Sequence, residues 1–165
     1  MSNLKLVSVL DNFILPDYSL QILLHIKSFK DSTWSSMNQE DINGPFWNNK
    51  RLMIDSSICS FLAEKITETV GKDFEYTAIN KAQRFFAGDV LGPLADGQHV
   101  PSIKYGITLF LEDCDGGIDL IDSNKKISSK AGTLVVHPSI EQYKIYGPST
   151  GVMHFMTFFA NLQLK

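Results

Sequence analysis

The sequence predicts an α+β domain: a β-sandwich or barrel with helices packed outside it. Amphipathic helical patterns come first, ahead of Gly71, and short apolar runs punctuated by turn residues fill the chain after Phe74. No repeat, low-complexity tract or linker interrupts the 165 residues, so residues 1–165 read as a single domain long enough to bury a sizeable core.

The elements follow in order. Leu4, Leu6, Val7 and Val9 alternate loosely, as in a short first strand, and Asp11-Asn12 punctuates it. Leu15-Pro16-Asp17 opens a helix, because proline in the first turn gives up an N–H that would have no helical partner anyway. Leu20, Leu23, Leu24 and Ile26 give this helix its apolar face, with Lys27 and Lys30 at the favourable end of its dipole. His25 lies within it and reads as a core-edge residue.

From Ser32 to Lys50 the chain is polar, with Asn43-Gly44-Pro45 as a turn signal and Trp34, Phe46 and Trp47 as separated anchors. The plain reading is a long surface loop pinned by aromatics. The sharper one is a partner-binding loop, since large aromatics anchor interfaces. Asp55 or Ser56 caps a second helix, with Ile58, Phe61, Leu62 and Ile66 on one face, Glu64, Lys65 and Glu68 on the other, and Gly71 at its end. Phe74–Phe86 alternates as a strand. Ile107–Leu111, Ile118–Ile121, Thr133–Val136 and Val152–Phe159 are further strands, separated by Glu112–Gly117, Asp122-Ser123-Asn124 and a stop at Pro138.

Charge and composition exclude several classes. A net charge of −3 with no basic run, only Lys125-Lys126 in a turn-like context, argues against nucleic acid as a partner. No apolar run is long enough for a bilayer, and Met1–Lys5 lacks signal-peptide character, so neither membrane nor secretion is expected. Cys59 reads as core and Cys114 as part of an acidic turn; two isolated cysteines favour a reducing compartment. Phosphate loops, paired-cysteine metal spacing and a nucleophile elbow are absent. Asp113 and Asp115 read as a solvated hairpin tip rather than a calcium loop.

The stretch from Gly88 to Gly97 is the informative one. Leu94 stands two residues before the lone carboxylate Asp96, where a metal-binding turn would carry a histidine. Arg84-Phe85-Phe86-Ala87-Gly88-Asp89 and Leu91-Gly92-Pro93-Leu94-Ala95-Asp96-Gly97 resemble the strand, Gly turn and His-x-Asp motif of the Fe(II)/2-oxoglutarate-dependent dioxygenases, in their small prolyl 4-hydroxylase-like branch. Tyr105–Leu111 is similar to that family's next core strand, and Asp115-Gly116-Gly117 to its Gly-Gly hairpin. Ala131–Ser139 is similar to its "KxGxLvlFPS" strand, and Gly151-Val152-Met153-His154 lies where it has Gly-x-Arg. The resemblance covers nearly the whole chain. It implies a double-stranded β-helix (jelly-roll or cupin-like) core with the N-terminal helices outside.

It also implies a degenerate site. The family's iron takes two histidines and one carboxylate on one face. Here Leu94 replaces the first histidine, Asp96 is kept, the second histidine falls at Tyr143 (Ile145 if the loop is gapped), and Met153 replaces the arginine that would clamp 2-oxoglutarate. The expectation is a non-catalytic structural or interaction protein with no metal or cofactor, whose partners are other protein subunits of a larger assembly. Resemblance to oxygenase-like proteins of tailed phages implies a virion neck, tail or baseplate component, and otherwise a cytoplasmic protein. The alternative is a working dioxygenase using Fe(II) and 2-oxoglutarate through a displaced triad of Asp96, His99 and His137. His154, adjacent to Met153 in a strand, should face the other way.

Overall fold

The computed structural model describes residues 7–39, 47–53, 56–70 and 74–162. Strand β1 (Ser8–Leu10) and helix α1 (Pro16–Lys27) come first, followed by a 3-10 turn (Asp31–Thr33), strands β2 (Ser35–Gln39) and β3 (Trp47–Met53), and helix α2 (Ser56–Val70). Beyond them lie β4 (Phe74–Phe86), β5 (Val90–Leu94), the one-turn helix α3 (Asp96–His99), β6 (Tyr105–Phe110), β7 (Gly117–Leu120), β8 (Lys125–Ser128), β9 (Leu134–Pro138), β10 (Tyr143–Tyr146) and β11 (Val152–Leu162).

These strands form two antiparallel sheets. The larger has the order β1-β9-β6-β11-β4-β3-β2 and the smaller β5-β10-β7-β8. From β4 onward the chain crosses repeatedly between the sheets, which is the winding of a double-stranded β-helix. The α+β class expected from the sequence is the observed one.

The central strands β6, β9 and β11 of the larger sheet are buried on both faces, which explains their near-continuous apolar runs. Side chains alternate along each strand. In β11, Met153 and Phe155 enter the space between the sheets with Phe85, Phe110, Val135, Ile118 and Leu120. Met156, Phe158 and Ala160 point to the outer face, where Ile22, Leu23 and Ile26 of α1 and Leu62 and Ile66 of α2 cover them. Each large apolar side chain so buried stabilises the fold by about 1.5–3 kcal/mol. Edge-to-face stacking of Phe85 on Phe155, with ring centroids 5.0 Å apart, adds to the inner layer.

Several expectations need correction. Within the stretch read as a long surface loop, residues 35–39 and 47–50 are strand: β2 and β3 pair antiparallel, and β3 extends the larger sheet beyond β4. Trp34 is not an exposed anchor. It is 4% exposed, lies under the Arg84 guanidinium (4.5 Å from its ring), and Arg84 is held in turn by Asp31 at 2.9 Å. Phe46, Asn43-Gly44-Pro45, Asp55 and Gly71 lie outside the described residues, as do Leu4 and Leu6 and the side chains of Trp47, Cys59 and His99.

Strands β5, β8 and β10 also escaped the sequence. Lys125-Lys126 begins β8, an edge strand whose lysines protect an unpaired backbone rather than marking a turn. Strand β10 is only four residues, but both of its edges are paired, to β5 and β7. In α1 the inward face is Ser19, Ile22, Leu23 and Ile26, whereas Leu20 and Leu24 face solvent; Phe61 of α2 is likewise exposed.

The contrast between adjacent leucines is measurable. Leu23→Ala should cost about 2–5 kcal/mol in denaturant unfolding, as a core truncation does, while Leu24→Ala should stay within about 0.5 kcal/mol of the parent.

Candidate functional site

The site is built where β5 ends and β10 begins. Tyr143 pairs directly with Leu94 across the smaller sheet. Close approach there depends on Gly92, which has φ +100° and whose missing Cβ would collide with the Tyr143 carbonyl oxygen. Past Leu94 the chain turns into α3, so Asp96 heads that helix and folds back under β10. The Tyr143 hydroxyl donates to Asp96 Oδ1 at 2.9 Å, and the bond is buried. The turn is locked by Gly97 N–H donating to the Ser139 carbonyl and Val100 N–H to the Asp96 carbonyl, at 2.9 and 2.8 Å.

His137 completes the group from the end of β9. Gly106 of β6 lies opposite it in register, and a Cβ there would stand 2.6 Å from His137 Nε2 and 3.1 Å from Asp96 Oδ2. Glycine at this position lets imidazole and carboxylate share one space. The His137 ring also packs on the Tyr143 ring, with centroids 4.8 Å apart. Its Nδ1 lies 2.9 Å from the Pro138 carbonyl, which can only accept, so Nδ1 carries a proton and donates it there. Burial pushes the His137 pKa below its ordinary 6.5, outweighing the opposing pull of the Pro138 carbonyl and the Glu141 charge.

Leu94, Tyr143, Ile145 and Met153 belong to one apolar cluster between the sheets, and Asp96 touches it through Tyr143. The positions that the sequence resemblance assigns to a metal and its cosubstrate therefore do converge. What they present is packing. Leu94 has no donor atom, the Tyr143 hydroxyl is committed to Asp96, and Met153 is fully buried. Among the described residues no group of three or more His, Cys, Asp or Glu side chains is placed to hold a metal ion. Of the displaced triad, Asp96 and His137 meet around Gly106; His99 ends α3, and its side chain lies outside the described residues. His154 lies on the far face of β11, its Nδ1 2.7 Å from Glu112 Oε2 and its ring 6.2 Å from that of Trp34.

One feature had no signal in the sequence. A cleft of about 380 Å³ opens beside the site, lined by Gly97, Pro101, Lys104, Tyr105, Pro138, Ser139 and Ile140. Its wall comes from the loop before β6 and the turn after β9, two segments made neighbours by the Tyr105–Pro138 pairing. Their proximity depends on strand register, which no local pattern specifies.

No protein-family model matches the sequence, and no curated protein matches it either. Solved structures do match over almost its full length. The viral collagen prolyl hydroxylase vCPH from Paramecium Bursaria Chlorella virus-1 superposes with a TM-score of 0.67 at 10% identity, covering 99% of each chain. A Pseudomonas putida prolyl-4-hydroxylase gives 0.70 at 13% identity, over 96% of this chain and 93% of that one. An oxidoreductase of the 2OG-Fe(II) oxygenase family from Burkholderia pseudomallei gives 0.73 at 11% identity, over 94% and 84%. The chain has the 2OG-Fe(II) oxygenase fold.

Within that oxygenase fold, the residues present at the corner formed by β5, α3 and β10 do not fit an iron centre of two histidines and a carboxylate. A leucine and a hydrogen-bonded tyrosine fill it instead.

Two outcomes test this geometry. Tyr143→Phe removes the hydroxyl donor to Asp96 and should cost about 1–3 kcal/mol of stability. The His137 shift sets a pH dependence. The unfolded chain takes up a proton near pH 6.5 and the folded one only at lower pH, so the unfolded state holds more protons in between. Stability should therefore decline as pH falls below 6.5, and the decline seen in thermal melts should be shallower in His137→Gln.

Proposed function

We propose that this chain is an oxygenase-fold protein that works without the iron centre, as a binding or structural subunit rather than through 2-oxoglutarate turnover. The Tyr143–Asp96 hydrogen bond carries this reading, because it sets a phenol against Asp96 Oδ1 at the position where the resemblance puts the second imidazole ligand. Leu94 and Met153, packed beside it, make the same corner dry and apolar. This donor set does not suit iron or 2-oxoglutarate.

A second reading has its own support. The solved neighbours are prolyl hydroxylases and other 2OG-Fe(II) oxygenases, and as a class they favour a dioxygenase over a virion component, for which neither the fold nor the comparisons offer anything. The meeting of His137 with Asp96 around Gly106 would supply two groups of a displaced site, with His99 as the third. In that case Fe(II) and 2-oxoglutarate would be the cofactors.

Calorimetric titration with Mn(II), and separately with 2-oxoglutarate, distinguishes the two. The proposal expects no heat of binding from either in the parent protein. Stoichiometric Mn(II) binding that disappears in Asp96→Ala would overturn it in favour of the dioxygenase. The double substitution Leu94→His with Tyr143→His should create Mn(II) binding where the parent has none, because both positions face each other in register beside Asp96.

A further inference from the structure

Helix α1 has a second apolar face that the fold leaves uncovered. While Ile22, Leu23 and Ile26 pack against the larger sheet, Leu20 and Leu24 keep 50% and 58% of their surface exposed. At 3.6 residues per turn, Asp17, Leu20, Leu24 and Lys27 fall on one stripe of the helix, and all four are exposed. The stripe has a particular symmetry. Counted outward from Ile22, Leu20 mirrors Leu24 and Asp17 mirrors Lys27, so reversing the direction exchanges leucine for leucine and acid for base.

We propose that this stripe pairs with the same stripe of a second copy of this chain, the two α1 helices running antiparallel about a two-fold axis at the level of Ile22. Leu20 then lies on the partner's Leu24, and Asp17 faces the partner's Lys27 at both ends. A two-fold contact requires one patch to be complementary to itself, and this order of acid, leucine, leucine and base meets that requirement. A lipid surface is a poorer match, because interfacial helices flank their apolar face with basic residues, whereas this stripe has one acid and one base. Helix α1 has 12 residues and is about 18 Å long. A contact of that length is small beside the roughly 800 Å² per partner of a standard stable interface, so the dimer forms in a concentration-dependent way. The inference rests on α1 alone and does not depend on the reading of the Asp96 site.

Sedimentation velocity on the full chain, from micromolar to millimolar concentration at low salt, tests it. The parent protein should shift from monomer toward dimer, and Leu24→Glu should remain a monomer. Asp17→Lys alone makes the stripe wholly basic and Lys27→Asp alone makes it wholly acidic; each should weaken self-association on the order of tenfold. Mixing the two variants in equal amounts should restore a dimer, since the heterodimer regains both opposite-charge contacts. Circular dichroism melts confirm that each variant is folded, and the mixture is read against the same two proteins measured separately, which removes any effect of the substitutions on helix stability. A parent that stays monomeric throughout overturns the proposal and leaves the face to some other partner. A dimer unaffected by Leu24→Glu, or a mixture that associates no better than its components, overturns it equally.

Discussion

The structure depends on the central strands of the larger sheet, β6, β9 and β11, being buried on both faces. A single sheet with one wet face would need only one layer of apolar side chains. Here β6, β9 and β11 each supply two, one set toward the smaller sheet and one toward the helices. The two-layer winding and the placement of α1 and α2 outside it follow from that demand, since neither apolar face can be left in water. Within the strands Gln83 and Thr157 are buried as a hydrogen-bonded pair, while Asp96, His137 and Tyr143 gather where β5 and β9 end and β10 begins. There each buried polar group finds a partner from a neighbouring strand or turn: the tyrosine hydroxyl donates to the carboxylate, and the imidazole to a backbone carbonyl.

The sequence was a good guide wherever a segment's own pattern determined its fate. Pro16 fixed the start of α1, and the alternation after Phe74 marked β4 in full. The runs Ile107–Leu111 and Val152–Phe159 fell on β6 and β11. It failed where the environment made the decision. Strands β2, β3 and β8 are polar, and pairing with a neighbour rather than any apolar period holds them in place. Trp34 looked exposed because its flanks are polar; Arg84, fifty residues on in the sequence, is what covers it. The same limit applied to the site. Leu94, Asp96 and Tyr143 could be aligned by their order in the chain, but the role of Gly106 could not, because it comes from two side chains converging across β6, β9 and α3. Helix α1 is the intermediate case. Its existence was plain, yet its apolar residues outnumber those that one buried face can use, and only the packing shows that Leu20 and Leu24 are the surplus.

The corner occupied by Leu94, Asp96 and Tyr143 has a mechanical consequence. In an oxygenase fold, a metal bound by residues from the end of β5 and the start of β10 would tie those two strands together, and the stability of that end would rise with metal concentration by the ordinary linkage of binding to folding. In this chain the same two points are joined by the Tyr143–Asp96 hydrogen bond and by direct strand pairing, with Leu94 and Met153 filling the space between the sheets. A buried hydrogen bond and a few apolar side chains contribute a fixed amount that no solute concentration changes. On the proposed reading the fold has therefore exchanged a conditional cross-link for a permanent one. Such an exchange suits a protein whose value lies in presenting an unchanging surface, and it removes the open coordination positions that oxygen chemistry requires. On that reading the two properties are linked physically: the packing that would make the corner independent of metal is the packing that would deny a metal its place.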